Sequence, residues 1–172
     1  MRRIISMLLQ NEAGVLGRVA GMFSARGYNI DSLTVAPTHD ASVSRLTLVT
    51  AGDGAVISQI IKQSRKLIDV IEIADITSRA HLECELLMVK VELAQDALSA
   101  FVACLRRHPR AQVLDISAGV RTIEFTGTGA EVNTFLADLG DIASILELAR
   151  SGTAALEPGE AVLAPAVETG PR

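Results

Sequence analysis

The segment Asn11-Glu12-Ala13-Gly14-Val15-Leu16 holds the residue types of this chain best suited to gripping a small charged molecule. Arg3 to Gln10, a near-continuous apolar run, stops there, and Leu16, Val19, Ala20 and Phe23 then recur at the spacing of one helix face, so the segment is a strand-to-helix turn. A helix N-terminus presents unpaired backbone N–H groups and a partial positive charge, which suit a carboxylate. Gly14 lets a ligand approach the backbone, and the Asn11 amide both donates and accepts, so the turn suits an amino acid. The same residues also suit a helix cap at Asn11 and a chain reversal at Gly14, and the turn by itself leaves both readings open.

Elsewhere the chemistry is sparse. The chain contains no G-x-S-x-G, no H-E-x-x-H, no Walker loop and no cysteine paired with an obvious base, which argues against catalysis of its own. His39, His81 and His108 fall in a hairpin loop, a linker and a helix end without the spacing usual for metal ligands, and are expected to be solvated, so no metal site is expected. Gly127-Thr128-Gly129 lies between a strand and a helix as a phosphate loop would, but Val132 replaces the third glycine of that pattern. Gly52-Asp53-Gly54 repeats the form, so an ordinary strand-helix turn accounts for both. Cys84 and Cys104 lack CxxC spacing and are expected to be buried free thiols in a reducing cytoplasm.

The elements that must position these residues follow one order twice. After the first strand and helix, Gly27 ends the helix, and Ile30, Leu33 and Val35 predict a strand running to Pro37. Beyond the polar loop Thr38 to Ser42 come a strand through Leu46 and Leu48, a helix with Val56, Ile57, Ile60 and Ile61, and a strand from Val70 to Ile76. From Leu86 the order restarts: a strand through Leu87, Val89 and Val91, a helix closed by Pro109, strands at Gln112 to Ser117 and Val120 to Thr126, a helix carrying Val132, Phe135 and Leu139, and an apolar segment from Ile142 to Ala149. A shift of roughly 75 positions lays Gly52 on Gly127, Gly54 on Gly129 and Ile57 on Val132. Matching Ile30 and Leu33 to Val113 and Ile116 requires a shorter turn, Ala118-Gly119, in the second copy.

The expected fold is therefore α+β, two ferredoxin-like β-α-β-β-α-β domains at 1–78 and 83–157, with a linker at 79–82 and a disordered tail at 158–172. With 16 Lys and Arg against 20 Asp and Glu, a net charge of −4, four Phe, one Tyr and no Trp, a basic stripe with stacking rings for nucleic acid is not expected. The longest apolar runs fall far short of the roughly 20 residues a bilayer needs, and no secretory signal is read at Met1-Arg2-Arg3.

Asn29 precedes the second strand whereas Asn11 follows the first, and in this topology those strands run the same way. A strand of eight residues spans roughly 26 Å, so no small metabolite touches both within one chain. Two chains paired antiparallel along their edge strands bring Asn11 of one beside Asn29 of the other, cover an exposed β edge and create two equivalent sites.

The run from Asn11 to Leu16, followed by Arg26-Gly27-Tyr28-Asn29-Ile30-Asp31-Ser32-Leu33-Thr34-Val35-Ala36-Pro37-Thr38, resembles the regulatory small subunits of acetohydroxyacid synthase, also called acetolactate synthase. The first half resembles an ACT domain, an amino-acid-sensing module, and the likeness continues through Lys66-Leu67-Ile68-Asp69-Val70, Glu85-Leu86-Leu87-Met88-Val89-Lys90 and Ala149-Arg150-Ser151-Gly152. The resemblance implies a non-catalytic protein that forms a homodimer through its ACT domains, binds a catalytic large subunit, raises its activity and confers feedback inhibition by L-valine in branched-chain amino-acid synthesis. Thiamine diphosphate, Mg²⁺ and FAD are then expected on the catalytic partner and no cofactor on this chain. By the same resemblance the effector lies near Asn11, Gly14, Val15 and Leu16 of one chain and Asn29 and Ile30 of the other. Two rival readings are a freestanding ACT-domain sensor acting on another partner, such as a transcription regulator, for which the chain shows no helix-turn-helix or basic surface, and a small enzyme on the same scaffold, for which it shows no reactive pair.

Overall fold

The computed structural model describes residues 1–94 and 96–164. The described residues divide into two compact units, Met1–Leu82 together with residues 155–164, and Glu83–Ala154.

In the first unit the order is β1 (Arg2–Gln10), α1 (Val15–Ser24), β2 (Ser32–Pro37), β3 (Val43–Ala51), α2 (Gly54–Ser64) and β4 (Val70–Asp75). The four strands form an antiparallel sheet in the order β2-β3-β1-β4. Ile5, Met7 and Leu9 of β1, Leu46 and Leu48 of β3 and Ile73 of β4 point to one face and pack against Val15, Val19, Met22 and Phe23 of α1 and Ile57 and Ile60 of α2. On the opposite face Ile4, Val49, Ile76 and Ala155 form a second buried cluster. Burial on both faces is why the sequence of β1 reads as a continuous apolar run rather than an alternation.

The second unit repeats the order with β5 (Leu82–Leu93), α3 (Leu98–Arg107), β6 (Ala111–Ser117), β7 (Val120–Gly127), α4 (Gly129–Gly140) and β8 (Ala143–Arg150), in the sheet order β6-β7-β5-β8. A short strand, β9 (Ala154–Leu156), follows. Leu87, Val89 and Val91 alternate inward against Phe101, Cys104, Val132, Phe135 and Leu139. Ala118 and Gly119, at φ 48° and 92°, make the short β6–β7 turn that the repeat requires; positive φ at both positions matches the twist of a two-residue hairpin. Both units are thus ferredoxin-like, α+β, with helices on one face of an antiparallel sheet.

Three details differ from the sequence-based expectations. β9 has no periodic signal because it is three residues long. Residues 155–157 group with the first unit rather than with the second: Ala155 is buried beside Ile4, Arg45 Nη2 donates to its carbonyl at 3.2 Å, and Glu157 pairs with Arg79 at 3.2 Å. Of the thiols, Cys104 is buried but Cys84 is exposed, since it shares the outward register of Leu86 and Met88 on β5. The expected tail, 158–172, carries no helix or strand over 158–164, and 165–172 lie outside the described residues. No helix among the described residues is long and apolar enough to cross a membrane.

Glu85 holds the second sheet together at an otherwise apolar position. Its carboxylate, 4% exposed, accepts from Arg150 Nε at 2.6 Å and Nη2 at 3.0 Å. Such forked, charge-assisted bonds are stronger than neutral ones. Glu85→Gln is expected to lower stability by about 1–3 kcal/mol, read as a shift of the denaturant midpoint at unchanged slope.

Candidate ligand-binding site

At the end of β1 the Asn11 backbone N–H donates to the Ser42 carbonyl at 2.7 Å, its Nδ2 donates to the Ala41 carbonyl at 2.8 Å, and its Oδ1 accepts from Ser44 Oγ at 3.0 Å. Asn11 is therefore not the helix cap. It ties the β1–α1 turn to the β2–β3 hairpin and fixes where the next residues begin. The cap position belongs to Gly14, which is left-handed at φ +85° and contributes no side chain. An L side chain rarely adopts that conformation, so the glycine answers a backbone need.

The helix that follows starts with two donors unused among the described residues. Val15 N–H reaches the Glu12 carbonyl only at 3.4 Å, and among the described residues the N–H groups of Leu16 and Gly17 have no hydrogen-bond partner. The helices after the two glycine turns behave differently. Asp53 accepts from the N–H groups of Ala55 and Val56 at the start of α2. Thr128 and Glu131 form a reciprocal capping box at the start of α4. Those caps account for Gly52-Asp53-Gly54 and Gly127-Thr128-Gly129 as turns. Helix α3 has Ala97 at its N-cap, also without a side-chain cap.

A positive charge stands over the open turn. Arg18, one helical turn beyond Gly14, is held by Asp69 through two bonds, Nε to Oδ2 at 2.6 Å and Nη2 to Oδ1 at 2.9 Å. Its Nη1 lies 3.1 Å from the place a Cβ on Gly14 would occupy. The fork leaves that nitrogen facing the turn and adds to the anion-attracting field of the helix end. The Asp69 side chain is 8% exposed, and the bonds from Arg18 hold its carboxyl below the usual aspartate range, against the opposing pull of burial. A lowered folded value means that the fork stabilises fully above the unfolded aspartate value of about 3.9 and that this contribution is lost as pH falls through the folded value. Asp69→Asn is accordingly expected to unfold with a shallower acid limb than the parent below about pH 4, measured by circular dichroism against pH.

The remaining candidate residues take distinct positions. Val15 is buried in the core and offers only its backbone, while Leu16 is exposed. Ile30 is half-buried against the same core. Asn29 is exposed; its Nδ2 donates to Asp31 Oδ1 at 2.6 Å, and its carbonyl accepts from Thr50 Oγ1 at 2.5 Å. Asn11 thus sits beside Ser42 at one end of β3 and Asn29 beside Thr50 at the other, a span of about 26 Å at the rise of a strand. Within one chain they do not meet. Strand β2 between them is a sheet edge, with Val35, Ala36 and Pro37 exposed. An antiparallel second copy along that edge carries its own Asn29 to the Asn11 end.

Sequence reasoning missed Arg18 and Asp69. They are 51 positions apart, and only the fold reveals their pairing. His39 is exposed as expected, but His108 is not a solvated residue: its side chain is 14% exposed, bonded through Nε2 to Asp138 Oδ2 at 2.8 Å and set edge-on to Phe125 and Phe135.

Comparison with known proteins adds the family. Residues 5–72 match the family described as AHAS small subunit-like ACT domain, and residues 84–159 match that described as small subunit of acetolactate synthase. The acetolactate synthase isozyme 3 small subunit of Escherichia coli is 42% identical over 166 residues, covering 95% of this chain and 99% of that protein. A probable acetolactate synthase small subunit of Archaeoglobus fulgidus is 40% identical over 92% of this chain and 98% of its own length. The crystal structure of the acetolactate synthase small subunit from Thermotoga maritima superposes with a TM-score of 0.82 at 30% identity, covering 94% of this chain and 99% of that one. Likeness over nearly the full length of both chains, in sequence and in fold, shows that this chain belongs to the acetolactate synthase small-subunit family.

Proposed function

We propose that this chain is the regulatory subunit of an acetolactate synthase, which binds a thiamine-diphosphate-dependent catalytic large subunit, raises its activity and makes it sensitive to L-valine. The observation that carries the reading is the start of α1, where a left-handed Gly14 opens a helix whose Leu16 and Gly17 N–H groups have no partner among the described residues and lie beneath Arg18. A free amino acid brings the carboxylate those donors suit and an amine for the carbonyls and amide oxygens of the turn. In this proposal residues 1–78 sense the amino acid and form the homodimer, with Asn11, Gly14, Val15 and Leu16 of one chain and Asn29 and Ile30 of its partner around each effector. The second unit helps hold the catalytic subunit.

Thiamine diphosphate, Mg²⁺ and FAD belong, in the same proposal, to the catalytic subunit. The capped starts of α2 and α4 support that division, because Asp53 takes the Ala55 and Val56 N–H groups and Thr128 takes the Glu131 N–H, donors that a phosphate would otherwise use. Inhibition requires valine to favour one state of the complex over another; a tenfold drop in activation corresponds to about 1.4 kcal/mol of differential binding. Reconstitution with the catalytic subunit tests the proposal. Added chain is expected to raise the rate of acetolactate formation, and L-valine to reverse the rise. Asn29→Ala is expected to weaken valine inhibition while leaving activation and the unfolding midpoint near those of the parent. Loss of activation with unchanged valine binding would instead assign Asn29 to the contact with the catalytic subunit.

A further inference from the structure

Three side chains of the second unit that the proposed regulation does not use converge between α3 and α4. Cys104 lies on the inner face of α3 and is fully buried. His108 follows four residues later at the C-cap of the same helix, on the same face. Asp138 comes from α4. One ligand atom from each lies within 4.8 Å of the other two, and the closest pair, His108 Nε2 and Asp138 Oδ2, is 2.8 Å apart. A tetrahedral ion with bonds of about 2.0–2.3 Å holds its ligands roughly 3.3–3.7 Å from one another. The His108–Asp138 pair is closer than that value and the 4.8 Å limit is wider, so seating an ion requires those two groups to part and Cys104 to approach them.

The donor set selects the ion. A thiolate, an imidazole and a carboxylate suit zinc rather than magnesium or calcium, which prefer oxygen alone. The His108 ring is already oriented, its plane at 88° to Phe125 and 62° to Phe135. Of the three residues, His108 also lines an open pocket of about 340 Å³, together with Arg107, Arg110, Phe125 and Glu131. Arg107, whose Nη2 lies 3.2 Å from Asp138 Oδ2 and whose side chain also bonds Cys104, competes for both groups, and metal binding requires that side chain, 60% exposed, to turn into solvent.

We propose that Cys104, His108 and Asp138 form an open, three-ligand site for a zinc-class divalent cation, stapling the end of α3 to α4. Cobalt(II) is the probe, because a bound thiolate gives a charge-transfer band in the near ultraviolet and four-coordinate geometry gives strong visible bands. The titration uses the full-length chain carrying Cys84→Ser, which removes the exposed thiol as a source of signal. One cobalt per chain, with a charge-transfer band that zinc abolishes, is the expected result. Cys104→Ser in the same background is expected to eliminate the band. His108→Gln, at the helix end, is expected to weaken cobalt binding by at least the roughly tenfold that loss of a supporting partner costs. Absence of the band in the Cys84→Ser chain at saturating cobalt, its survival in Cys104→Ser, or unchanged affinity in His108→Gln would each overturn the proposal.

Discussion

A chain carrying Gly14→Asp is expected to activate the catalytic subunit as the parent does and to leave it uninhibited at valine concentrations that saturate the parent. The new carboxylate stands at the start of α1, where the Leu16 and Gly17 N–H groups are unused and Arg18 Nη1 lies 3.1 Å from the position of the added Cβ. It therefore occupies the place the account gives to the effector's own carboxylate and is stabilised by the same donors. The conformation at φ +85° costs a non-glycine residue about 1–2 kcal/mol, and aspartate tolerates it better than most, so the domain remains folded. Gly14→Ala separates the two effects, since it carries the strain without the charge; it is expected to weaken inhibition less than Gly14→Asp. Inhibition curves of the reconstituted enzyme read both, and full valine sensitivity in Gly14→Asp would contradict the site.

Mixing a Gly14→Asp chain with an Asn29→Ala chain is expected to restore part of the valine binding that each has lost. Asn11 and Gly14 lie at one end of the first sheet and Asn29 at the other, so each site in the proposed dimer takes the turn of one chain and Asn29 of its partner. In a homodimer of Gly14→Asp, or of Asn29→Ala, every site carries one defect. In the mixed dimer one site carries both defects and the other carries neither. Random reassortment makes half of the dimers mixed, so about a quarter of the wild-type number of sites returns. Valine titration before and after mixing and refolding reads the gain, whereas a site built within a single chain gives none.

The parts of this account legible in the sequence are those carried by period and spacing. The doubled β-α-β-β-α-β order follows from hydrophobic periodicity, and the length mismatch at Ala118-Gly119 already implied a tight second turn, which the two positive φ angles provide. The opposite placement of Asn11 and Asn29 follows from topology alone. What escaped were partnerships across long separations. Arg18 and Asp69 are individually unremarkable surface-type residues until the fold brings them together, and Ala155 belongs to no periodic segment although it completes a buried cluster with Ile4, Val49 and Ile76. Asn11 read as a possible helix cap because its residue type fits one; the backbone instead puts Gly14 there and turns the Asn11 amide toward the hairpin. His108 read as a solvated helix end without metal-ligand spacing although it follows Cys104 by four residues, and Asp138 enters only through the packing of α3 and α4.

Calorimetric titration of the purified chain with L-valine, with D-valine as the control, tests the sensing claim most directly because it needs no catalytic partner. The account predicts saturable binding of about one L-valine per chain, two per dimer, with D-valine binding far more weakly. No heat of binding from L-valine at millimolar concentration, in a chain that still activates the catalytic subunit, would contradict it.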